Sequence, residues 1–78
     1  MNFSTVKKGQ IAVVQAERNT DIVLTPDGRR YLGSGEAFRT FDSLPEAQAF
    51  AKSVAVAKPE VECGLYDATG ARLARIST

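Results

Sequence analysis

A single stretch of this chain is built to be a helix, and that limits the folds open to everything around it. Ser43-Leu44-Pro45-Glu46 combines an N-cap serine, a proline in the first turn and a glutamate placed to close a capping box. Leu44, Ala47, Phe50, Ala51 and Val54 then recur at spacings of three and four, which gathers them into one apolar stripe. Pro59 pushes the residue before it out of helical space, so the helix is expected to end near Ala57 or Lys58. A helix of about 14 residues is roughly 21 Å long and covers only one face of a sheet.

The rest of the chain reads as strands. Residues 11 to 16, Ile-Ala-Val-Val-Gln-Ala, and 21 to 25, Asp-Ile-Val-Leu-Thr, are β-branched runs separated by the polar cluster Glu17-Arg18-Asn19-Thr20. Thr25-Pro26-Asp27-Gly28 has the grammar of a type I turn with a G1 bulge: proline where φ near −65° is wanted, glycine where φ must be positive. A third strand is predicted at Arg30-Tyr31-Leu32. Gly33-Ser34-Gly35-Glu36 breaks the pattern, and Phe38-Arg39-Thr40-Phe41 leads to the helix in extended form. Beyond Pro59, Val61, Cys63 and Leu65 alternate onto one face of a fourth strand. Asp67-Ala68-Thr69-Gly70 repeats the turn grammar, and residues 71 to 76 return as a fifth. The expectation is one α+β domain over residues 1 to 78, β-β-β-α-β-β, with an antiparallel sheet of four to five strands and a helix on one face.

The segment from Phe41 to Ile76 contains a serine-capped helix with Glu46-Ala47 after the cap and a hairpin turning at Tyr66-Asp67-Ala68-Thr69-Gly70. In this it resembles small uncharacterised bacterial domains of β-β-α-β-β order. The resemblance implies a fold and brings no activity with it.

Composition removes most chemistry. The 78 residues include no histidine and one cysteine, so neither a Ser-His nor a Cys-His pair can form, no internal disulfide can close, and a zinc site would need carboxylates almost alone. Cys63 reads as a small apolar residue of the fourth strand. Glu60 and Glu62 read as a solvated strand margin, and Asp27 and Asp67 as turn formers. Gly33-Ser34-Gly35 does not run from a strand straight into a helix, as a phosphate loop should. No catalytic residue, metal or cofactor is expected.

The N-terminus lacks the apolar core of a signal peptide and no stretch approaches a membrane span, so a cytoplasmic setting without membrane contact is expected. Ten Lys and Arg against nine Asp and Glu leave a formal charge of +1, too little to draw the chain onto nucleic acid by its overall field. Adjacent apolar residues on the first strands point to both faces, and a lone helix covers one. The uncovered face, with Val14, Val23 and Tyr31 as its candidate interaction surface, therefore predicts an interaction or structural module, and a homodimer formed by that face or by an edge strand. The alternative is a small nucleic-acid-binding domain using Arg29, Arg30, Tyr31, Arg39 and Arg72, because arginines beside aromatic rings suit single strands.

Overall fold

The computed structural model describes residues 3–33 and 37–77. Five strands and one helix follow in the order β1 (Ile11–Glu17), β2 (Val23–Leu24), β3 (Phe38–Phe41), α1 (Leu44–Ala57), β4 (Val61–Tyr66) and β5 (Arg72–Ile76). The strands form one antiparallel sheet with β1 as its hub. One edge of β1 is taken by β4, which in turn carries β5; the other edge is shared, β3 pairing with Ile11 to Val14 and β2 with Gln15 and Ala16.

Helix α1 starts as its cap residues dictate. Ser43 stands in extended conformation and its Oγ accepts from the Glu46 N–H at 3.3 Å, while the Lys58 N–H closes the other end on the Val54 carbonyl at 2.8 Å. The predicted stripe is turned slightly in its seat. Ala47, Ala51 and Ala55 are buried, Phe50 and Val54 are partly buried, and Leu44 is exposed. Alanines along the contact line let the helix axis approach the sheet closely, and Ile11, Val13, Cys63 and Leu65 fill the space beneath.

Both hairpin turns take the predicted form. Gly28 and Gly70 sit at φ 89° and 86°, each donating its N–H three residues back, to Thr25 at 2.9 Å and Asp67 at 3.0 Å. Thr25 also donates its hydroxyl to Asp27, and Thr69 donates to Asp67 at 2.6 Å. Those hydroxyl contacts, before all else, hold the carboxyls of Asp27 and Asp67 below the ordinary aspartate range.

Two strands differ from the sequence reading. The second is only Val23–Leu24, because Asp21 adopts φ 59° inside a turn in which its N–H reaches the Glu17 carbonyl and the Thr20 hydroxyl grips the Glu17 carboxylate at 2.7 Å. The third is not Arg30-Tyr31-Leu32: there Leu24 forms an isolated bridge with Arg30 and the Tyr31 N–H donates to the Val23 carbonyl, while Leu32 is 92% exposed. The place on β1 goes to Phe38–Phe41. That segment buries Phe38 on one face and packs Phe41 on the other, and Arg-Tyr-Leu, with a single aromatic ring, cannot match both.

The face away from α1 is not bare, and the expectation that it is uncovered is corrected here. Residues Phe3 and Val6 fold back over it and pack with Ala12, Val14, Phe38 and Tyr66. Phe3 lies between two rings, 5.2 Å from Phe38 and 5.0 Å from Tyr66 by centroid, so an aromatic row crosses the sheet. Val14 is consequently 7% exposed.

Candidate functional site

The remaining half of that face is mixed rather than apolar. Val23 and Tyr66 are partly buried beside a shallow hollow of about 180 Å³ over Gly64, and Glu62, Arg72 and Arg75 rim it, Arg75 pairing with Glu62 at 3.5 Å. The Tyr66 ring lies so close over Gly64 that a Cβ there would meet it at 2.8 Å. Of the three residues picked as an interaction surface, Val14 and Val23 do share this face, but Val14 is closed off by the chain's own N-terminal segment and Tyr31 lies beyond β2, outside the hollow.

The five residues picked as a nucleic-acid patch are scattered. Arg29 and Arg30 flank the first turn, each beside a carboxylate, Asp27 at 3.4 Å and Glu17 at 3.4 Å. Arg39, paired with Val13, projects to the helix side, while Arg72, paired with Tyr66, is on the opposite side and the far margin of the sheet. The structure does not gather the five onto one surface, and the ring that Arg39 meets, Phe50, is on the helix side.

Two features stand out instead. The first is the outer margin of β5. Among the described residues β5 pairs only with β4, so its other row of N–H and C=O groups is unpaired along Arg72–Ile76, with Leu73 45% exposed.

The second is a cleft of about 250 Å³ at the seam where the edge of β1 passes from β3 to β2. Pro26 and Asp27 of the first turn form one wall and Phe50, Val54 and Ala57 of α1 the other. Gln15 is at its floor. The alternation of β1 puts Gln15 in the helix-facing row with Ile11 and Val13, between Leu24 on β2 and Cys63 on β4, and it is 5% exposed. Its carboxamide makes no hydrogen bond among the described residues, yet no described side-chain polar atom is both sealed from solvent and unpaired, so the amide looks into the cleft. Arg39 and Lys58 bring positive charge to the mouth and form no ion pair among the described residues, whereas Asp27 is already engaged by Thr25 and Arg29. The Arg39 guanidinium stands 5.4 Å from the centroid of Phe50, whose other neighbour is Phe41. The sequence reading passed over Gln15; the signal was there, as one amide following Ile11 and Val13 in the same strand row.

Cys63 faces the core at 0% exposure, and burial, helped by the Glu62 charge, pushes its thiol up to about 11. A thiol-disulfide dye at pH 8 should therefore leave the native protein unlabelled over hours and label one thiol per chain at once in urea. Fast native labelling would mean that the core opens readily around β4.

Among the described residues no helix is long and apolar enough to cross a membrane, and no three metal-binding side chains come together. Comparison with known proteins finds no family model, no curated protein and no solved structure that matches the chain.

Proposed function

We propose that the chain is a non-enzymatic interaction module of the cytoplasm that pairs with a second copy of itself along β5. The observation that carries this reading is the unpaired outer row of β5, five residues long, with no proline and with an exposed leucine, Leu73, beside its centre. Edge pairing about a two-fold axis would join two sheets into one and satisfy those groups in both copies. The sequence of β5 suits such a contact. In an antiparallel register centred on Ala74, Arg75 of one copy stands opposite Leu73 of the other, so no arginine faces an arginine. The Arg75 charge is also already balanced by Glu62. A lone buried cysteine is consistent with a reducing compartment.

Sedimentation velocity tests the proposal. A dimer should grow in with concentration across about 1 to 100 µM, the range of modest interfaces, and Leu73→Lys, which places a charge on the free edge, should return the protein to a monomer with its melting temperature nearly unchanged. A parent protein that stays monomeric throughout, or a dimer indifferent to Leu73→Lys, refutes edge pairing.

A further inference from the structure

The cleft beside Gln15 lies on the opposite margin of the sheet from β5, so what it binds is independent of pairing along that edge. Gln15 is buried but for its amide, which has no partner among the described residues and opens onto the cleft, so a ligand there can take the place of water on it. Methionine or leucine would fill the same volume with no polar group to satisfy. What distinguishes glutamine is a donor and an acceptor side by side in one plane, which match the edge of another amide.

We propose that the cleft binds a small carboxylate that carries an amide, the chemistry of an N-acylated amino acid. Each part of such a ligand has a counterpart on the walls. The ligand amide pairs with the Gln15 carboxamide at the floor. Its aliphatic body rests against Phe50, Val54 and Pro26, and its carboxylate meets Lys58 and Arg39 at the mouth. The two cations are held there by the fold. Lys58 is the C-cap of α1 and its Nζ lies 3.1 Å from where a Cβ on Gly28 would stand, while Arg39 is steadied over Phe50. A space of about 250 Å³ lies near the lower end of ordinary small-molecule sites, which suits a ligand the size of one acylated residue.

The test is a titration followed by NMR of the backbone amides that line the cleft, and in the parent also of the Gln15 side-chain NH2, with N-acetylglycine and N-acetylleucine as probes and acetate and N-methylacetamide as half-ligands. N-acetylleucine should shift those resonances saturably with a Kd of about 1 mM, and each half-ligand should bind about tenfold more weakly or worse. Gln15→Met and, separately, the surface change Lys58→Met should each weaken N-acetylleucine about tenfold, while Gln15→Met raises the melting temperature of the free protein. No saturable shift by either N-acyl amino acid up to about 20 mM, or equal affinity in Gln15→Met, overturns the proposal. A peptide ending in leucine that bound more tightly than N-acetylleucine would overturn it too, by showing the cleft to be open to a longer chain.

Discussion

Replacing Leu65 with alanine should cost about 3 kcal/mol, since removing a buried leucine costs 2 to 5 depending on how far the walls collapse. Leu65 is fully buried on the helix-facing side of β4, opposite Val13 of β1 and Ala74 of β5 and beneath the alanine line of α1. The methyl groups of those alanines are too short to move into a void. A chain of 78 residues has a total stability of roughly 4 to 12 kcal/mol, so at the low end of that range the variant keeps only a narrow margin. In urea, with a slope near 1 kcal/mol per molar for a protein this small, the midpoint should fall by about 3 M. A midpoint within about 0.5 M of the parent would show that the helix does not bear on β4 as described.

Phe3→Ala should cost about 2 kcal/mol, less than a full core aromatic because Phe3 is only partly buried. The loss has two sources. The Phe3 ring itself leaves the face, and Phe38, Val14 and Tyr66 lose the cover that shields them. The second source has its own signature: a dye that fluoresces on apolar surfaces should bind the native variant and ignore the parent. Phe3→Leu, which restores the cover without the ring contacts, should recover roughly half the stability and abolish dye binding. Unchanged urea midpoints for both variants would show that residues 3 to 6 are ornamental and the far face is stable in water by itself.

These two expectations mark what was legible in the chain and what was not. Local grammar was fully legible: Ser43 with Glu46, the Pro59 stop, and the positive φ of Gly28 and Gly70 are short-range matters decided within four residues. The alternation of Val61, Cys63 and Leu65 placed β4 correctly for the same reason. Competition between distant segments was not legible. Arg30-Tyr31-Leu32 and Phe38–Phe41 both have strand character, and only the tally of what each buries on β1 decides between them. Likewise one helix cannot cover two faces, but periodicity gives no sign that Phe3 and Val6 fold back to cover half of the second face, because two apolar residues in a polar segment have no period. Gln15 was hidden by its neighbours: five apolar residues around one amide read as strand, and only the burial of that amide makes it a candidate ligand.

The position of β1 at the hub of the sheet also governs how the molecule comes into being. Its longest ladder, Ala12 to Glu17 against Val61 to Tyr66, joins the first strand made to the last but one. During synthesis the segments that pair with its other edge emerge early, while this edge, with Val13 and Val14 on it, waits for most of the chain to leave the ribosome. The sheet therefore closes only once β4 is available, at the pace of a long-range closure, and the chain before that closure is the stage most open to aggregation.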